Sequence, residues 1–181
     1  GAMRNAYRMF AGLYCEVSGG MSVLTIDYRV APEHPYPAAL EDAVAAYQYL
    51  LDEGWFAEQI IVAGDSAGGG LAMALCHYLK DHHMMLPCGI IAMSPWTDLL
   101  ASGESYDTNY ERDPLFGNTR DSLIYNKDYV GDHDPMDSYI RSKAPQTSGR
   151  HSASRRYSRL RAAVKSLCLY SGFLSAPATP C

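Results

Sequence analysis

A chain of 181 residues with 48% hydrophobic content is long enough for one domain with a substantial core, and a formal charge of -5 fits a globular protein. No apolar run is long enough to cross a membrane as a helix, and no charged opening followed by a signal-length apolar run is present. The charge is uneven: residues 141–181 hold eight of the 15 basic residues and none of the 20 acidic ones, which separates a strongly acidic body from a basic end.

Residues 4–17 place Met9, Phe10, Leu13 and Tyr14 on one broad side, which predicts an amphipathic helix ending before Gly19-Gly20. Met21 to Asp27 reads as a strand, and Val23, Leu24, Thr25 and Ile26 are too uniformly apolar or β-branched for a half-solvated edge. Tyr28 to Pro37 carries Pro32, Pro35 and Pro37, which excludes a regular helix or interior strand. Pro37 suits the first turn of the next helix, where Leu40, Val44, Tyr47 and Leu51 form an apolar stripe that stops before Gly54.

Gln59 to Gly70, QIIVAGDSAGGG, is the stretch that carries chemistry. Ile60, Ile61, Val62 and Ala63 form an apolar run typical of a buried parallel strand, and Leu71, Leu75 and Leu79 then recur at helical spacing to about Lys80. Between them Gly64-Asp65-Ser66-Ala67-Gly68 puts a serine at a strand-to-helix turn. Such a turn raises a hydroxyl above the end of a sheet and needs small neighbours because the serine backbone is strained. Ser66 is therefore the candidate nucleophile. Gly68-Gly69-Gly70 is not a phosphate loop, because the Lys-Ser/Thr that ends one is absent.

Cys88 to Met93 is a third apolar strand, and Ser94-Pro95-Trp96-Thr97-Asp98 leaves its carboxyl end. Strands alternating with helices predict an α/β fold, a mostly parallel sheet in an α/β/α arrangement. Ligands in such sheets bind beyond the carboxyl ends of the strands, which puts Ser66, Trp96 and Asp98 on the functional edge. Ala101 to Pro114 reads as a long loop, and Asn118 or Thr119 caps a helix running to about Tyr129 and closed by Gly131. The end, 141–181, is serine-rich and basic and is expected to be mostly mobile; only Leu160 to Leu174 has the apolar content of a helix or strand. Cys15, Cys76, Cys88, Cys168 and Cys181 are odd in number and fit neither zinc nor CxxC spacing, which points to unpaired thiols in a reducing, cytoplasmic compartment.

Three blocks closely resemble the hormone-sensitive-lipase-like branch of the serine α/β-hydrolases, which includes many bacterial carboxylesterases. They are Asp27-Tyr28-Arg29-Val30-Ala31-Pro32-Glu33-His34-Pro35 with Pro37-Ala38-Ala39, then Gly64 to Gly69, then Ser94-Pro95-Trp96-Thr97-Asp98-Leu99. The resemblance covers about residues 4–140 and implies a partial α/β-hydrolase domain, with 101–135 contributing to a cap. It implies that Ser66 attacks small acyl esters through an acyl-enzyme, that the backbone N–H of Ala67 faces the oxyanion, and that no cofactor is needed. Asp65, Trp96 and Asp98 are candidates to border the pocket. Asp65 either fixes the turn or faces a neighbouring loop, since a residue adjacent to Ser66 cannot easily relay through a histidine. Trp96 and Asp98 either line the pocket or anchor their loop.

The family's His-Gly-Gly-Gly loop, expected just upstream of Arg4, is absent, as if the chain began inside a larger hydrolase. Residues 141–181 show neither the triad acid nor the triad histidine of the family, and a shifted reading frame would explain the abrupt change. The expectation is therefore weak or no turnover by this chain. His34 sits in the proline-rich passage and reads as structural, and rescue by His151 is the remote alternative. His82-His83 reads as solvated, and Asp132-His133-Asp134 as unable to converge on one ion. Arg29 is expected to pair with Glu33 or Asp42 behind the serine turn. A competing reading is a non-catalytic remnant whose basic tail binds acidic partners. Nucleic acid is not favoured, since no aromatic interleaving or recognition motif accompanies the charge. With few strands to cover one another, exposed sheet edges point to an oligomer or to aggregation.

Overall fold

The structure, a computed structural model, describes residues 5–114, 124–141 and 165–170. In chain order it contains α1 (Asn5–Val17), β1 (Ser22–Thr25), α2 (Ala38–Asp52), a 3-10 turn (Ala57–Gln59), β2 (Ile60–Asp65), α3 (Ala67–Asp81), β3 (Gly89–Met93), α4 (Ser105–Thr108), α5 (Ile124–Val130) and β4 (Lys165–Tyr170). The strands form one sheet in the order β1-β4-β2-β3, and every neighbouring pair is parallel.

Side chains alternate across β2, and this sorts the helices into layers. Ile60 and Val62 are fully buried in the cluster built with α2 and α3. Ala63 points the other way, where Tyr7 and Tyr14 of α1 and Val23 of β1 pack on it. The result is helix, sheet, helix, with β2 in the interior.

Each helix buries a line that differs instructively from its sequence stripe. In α1 the sheet contact runs through Tyr7 and Tyr14, two turns apart, while Met9, Phe10 and Leu13 are exposed. The broad apolar side expected there is rotated, because α1 meets only a narrow strip of sheet near β1 and the aromatic rings reach it best. In α2 the fully covered line is Leu40, Ala43, Tyr47 and Leu50, with Val44 and Leu51 packed on its flank. Small Ala43 lets the helix approach closely, a contribution invisible to a search for large apolar residues. Leu71, Leu75 and Leu79 of α3 are buried as the spacing predicts.

β1 lies at the edge of the sheet and its residues are half-buried or exposed, against the expectation of an interior strand. Composition specifies strand tendency, but the number of neighbours is decided by the whole topology. β3 is the other edge, where Ile90, Ile91 and Met93 stay exposed. Lys165–Tyr170 falls inside the one stretch of the basic end, Leu160 to Leu174, with the composition of a helix or strand, and it takes a central place in the sheet. The remainder of that end beyond Arg141, with His151, lies outside the described residues, as do Asn118 and Thr119. The loop after Ala101 includes the short helix α4.

The proline-rich passage is built into the core: Tyr28, Ala31 and Tyr36 are buried, and Ala31-Pro32 and Tyr36-Pro37 are cis. Arg29 ties it to α2. Its guanidinium donates to Asp42 at 2.8 Å and Glu41 at 3.0 Å, while its backbone N–H donates to Asp42 at 2.7 Å. Of the two expected partners Asp42 is the one used, with Glu41 beside it in place of Glu33.

Candidate active site

Ser66 sits between the last residue of β2 and the first residue of α3, with φ 52° and ψ -117°. A serine is rarely found there, because Cβ and the carbonyl crowd, at a cost of order 1–3 kcal/mol. The surroundings impose the conformation. Ser66 N–H donates to the Met93 carbonyl at 3.0 Å, and its own carbonyl accepts from Trp96 N–H at 2.8 Å and Gly70 N–H at 3.1 Å. The turn is thus tied to the end of β3, to the loop behind it and to the first turn of α3.

The glycines that follow are required by close approach. A Cβ on Gly69 would lie 3.0 Å from Pro95 and 3.2 Å from the Gly64 carbonyl oxygen, and one on Gly70 would collide with the Trp96 carbonyl oxygen. The Gly-rich run therefore serves helix-to-loop packing. It lets α3 press against the Pro95-Trp96 backbone and holds Ser66 at the carboxyl end of the sheet. Ala67 opens α3, so its N–H is among those with no partner inside the helix and is available to an anion above Ser66.

Asp65 is half-buried, with Oδ1 inaccessible and lacking a hydrogen-bond partner. Burial raises its carboxyl above the usual range, against the opposing pull of its own backbone N–H. Burial also raises the Tyr28 hydroxyl, with Tyr7, Tyr129 and Asp65 adding to the effect. Asp65 thus belongs to a poorly solvated patch beneath the turn.

Trp96 and Asp98 act on the loop after β3. Trp96 contributes its backbone to the serine turn from both sides. The Asp98 carboxylate accepts from Ser102 N–H and Oγ, each at 2.8 Å, and from Leu100 N–H at 3.2 Å, and Arg141 lies 3.5 Å from it. Burial opposes its charge, yet the Ser102 and Leu100 hydrogen bonds and the Arg141 cation hold it below the usual carboxylate range. Arg141 also donates to Ser102 Oγ at 2.8 Å. The basic end was read as separate from this loop; no local sequence signal links residues so far apart.

The histidines are placed elsewhere. His34 is exposed and its backbone closes a turn on Val30, His82 stacks on Tyr78, and His133 meets the Tyr36 ring edge-on at 5.0 Å. Among the described residues no cluster of His, Cys, Asp and Glu has the arrangement of a metal site.

The family model for the alpha/beta hydrolase fold matches residues 8–153. This chain belongs to the α/β-hydrolase fold family. An acetyl-hydrolase of Streptomyces hygroscopicus is 42% identical over 118 residues, covering 65% of this chain and 39% of the relative. A solved esterase from the bacterial hormone-sensitive lipase family is 40% identical with a TM-score of 0.61, over 64% of this chain and 39% of that one. EstE5, solved after soaking with p-nitrophenyl butyrate, is also 40% identical, with a TM-score of 0.58 over 64% of this chain and 38% of its own. This chain thus spans about two-fifths of the length of these relatives, and the stretch matched by the family model takes in the strand, turn and helix around Ser66.

Proposed function

We propose that this chain carries the nucleophile segment of a serine carboxylic-ester hydrolase acting on small acyl esters. The observation that carries the reading is the backbone of Ser66, held at positive φ where β2 turns into α3. In that role Ser66 Oγ adds to the acyl carbon, the N–H of Ala67 donates to the resulting oxyanion, and the intermediate expels an alcohol to leave an acyl-serine. Water then adds to the acyl carbon and releases the carboxylic acid, returning the proton to Ser66. The acetyl-hydrolase and esterase names of the relatives, and p-nitrophenyl butyrate as the compound soaked into EstE5, support a short acyl group.

A serine hydroxyl at neutral pH needs a base, and a site left with its oxyanion donors and binding alone retains only about 10³–10⁴-fold over water. Turnover by this chain is accordingly expected to be small, and covalent labelling is the sharper test. A fluorophosphonate should label Ser66, mapped by peptide mass, strongly where this segment is joined to a triad acid and histidine and only weakly in this chain alone, and Ser66→Ala should abolish it. Labelling that survives Ser66→Ala would refute the assignment. Cys15, Cys76 and Cys88 are free thiols among the described residues, in keeping with a reducing, cytoplasmic setting.

A further inference from the structure

The loop that leaves β3 runs between two strained points. Ser94 and Ala101 both have positive φ, 41° and 49°. A residue with a Cβ rarely adopts that backbone, and it persists only where surrounding contacts over-determine it. Inside the loop, Trp96 N–H donates to the Ser66 carbonyl at 2.8 Å, Leu99 is buried in the core, and the Asp98 carboxylate accepts from Leu100 N–H and from Ser102 N–H and Oγ. Arg141 closes this frame from outside. Its guanidinium donates to Ser102 Oγ at 2.8 Å, and its Nε, shielded from solvent and without a hydrogen bond, has Asp98 Oδ1 at 3.5 Å. The Arg141 side chain is 15% exposed and that of Asp98 24%, so the pair is screened less than one on the open surface. Arg141 itself stands on a fixed base. Its N–H donates to the Asp137 carbonyl at 2.7 Å, Ile140 is buried in the core, and the Tyr139 hydroxyl donates to Asp81 at 3.0 Å. Helix α3 thus follows the Ser66 turn at its start and braces the support of Arg141 at its end.

We propose that Arg141 is a positioning residue for Ser66: it clamps the Asp98–Ser102 end of the loop so that Trp96 keeps its hold on the Ser66 carbonyl. The proposal rests on the reading of Ser66 as the nucleophile. Removing the guanidinium takes a cation from Asp98 and a donor from Ser102 Oγ, which releases the Ala101 end of the loop toward ordinary backbone. The Trp96 contact then loosens, and Ser66, whose own φ is 52°, loses one of the ties that hold it at the bend. A lysine would return a single point charge beside Asp98 without the fork that serves Asp98 and Ser102 together, so it restores part of the clamp.

Two readouts on the full chain test the clamp, both taken well below the melting temperature. The first is the fraction of Ser66 carrying a fluorophosphonate adduct after a fixed exposure, measured by peptide mass. The second is acrylamide quenching of Trp96, which Trp55→Phe leaves as the only tryptophan. Arg141→Gln is expected to lower the adduct several-fold and to raise the quenching, with Arg141→Lys between it and the parent on both. Leu75→Ala, which loosens the core instead, supplies the comparison and should keep the parent's labelling at reduced stability. Unchanged labelling or unchanged quenching in Arg141→Gln would overturn the proposal, as would a loss of labelling that Leu75→Ala reproduces. An adduct that survives Ser66→Ala would instead overturn the nucleophile reading, and the positioning role with it. Should Arg141→Gln give no cooperative melt, Ser102→Ala takes its place, since it removes the hydroxyl that Arg141 holds and leaves the cation in place. A smaller fall in labelling with raised quenching is then expected, and parental values of either would overturn the clamp.

Discussion

At Ser66 the backbone is held in a region that glycine enters without penalty. Ser66→Gly should therefore raise stability by about 1 kcal/mol while abolishing fluorophosphonate labelling. A thermal or denaturant melt beside the labelling gel checks both halves, and a less stable variant would show that the serine side chain contributes packing. Asp65 provides a pH signature. Its carboxyl is raised in the folded chain, so the native state resists ionisation and stability falls as pH rises from the usual carboxylate value, about 3.9, through the raised one. Asp65→Asn should melt higher than the parent at pH 7, with the difference closing as the pH drops below about 4. A lower melting point at pH 7 would refute this. Asp42 has the opposite sign: despite burial, hydrogen bonds from Arg29 hold its carboxyl down, so its contribution is present at neutral pH and lost as the pH falls through the lowered folded value. Asp42→Asn should lower the neutral-pH melting point and flatten its decline in acid.

The element most readable from sequence is the β2–α3 unit, because both its periods are strong and the glycines between them have a physical reason. Gly70 meets the Trp96 backbone, which cannot retreat as a flexible side chain would. Gly70→Ala should cost about 1–3 kcal/mol and weaken labelling of Ser66, through the Trp96 and Gly70 hydrogen bonds that fix its carbonyl. Leu75→Ala, at a fully buried position, should cost about 2–5 kcal/mol. A urea melt read beside the labelling gel separates the two: the leucine change should reduce stability with labelling retained, the glycine change should reduce both. The helices flanking this unit were less legible. In α2 the buried line passes through Ala43, and in α1 through Tyr7 and Tyr14, since contact geometry weighs closeness and reach as well as hydrophobicity. For Trp96 and Asp98 the sequence left two roles open. In the structure both hold the loop beside the turn, Trp96 through its backbone and Asp98 through its carboxylate.

For the whole molecule, strand order was the least legible property. Alternating strands and helices indicate a parallel sheet, yet pairing between segments as distant as Ile60–Asp65 and Lys165–Tyr170 leaves no periodic trace. Interior placement also depends on neighbours, which is why β1, apolar by composition, ends at an edge. The same arrangement governs the order in which the chain can mature. A ribosome adds about 5–20 residues per second, and it delivers β1, β2 and β3 before the segment that must lie between the first two. The nascent sheet therefore has to keep a gap open while the intervening residues are synthesised, and nascent chains on one polysome would hold such gaps side by side.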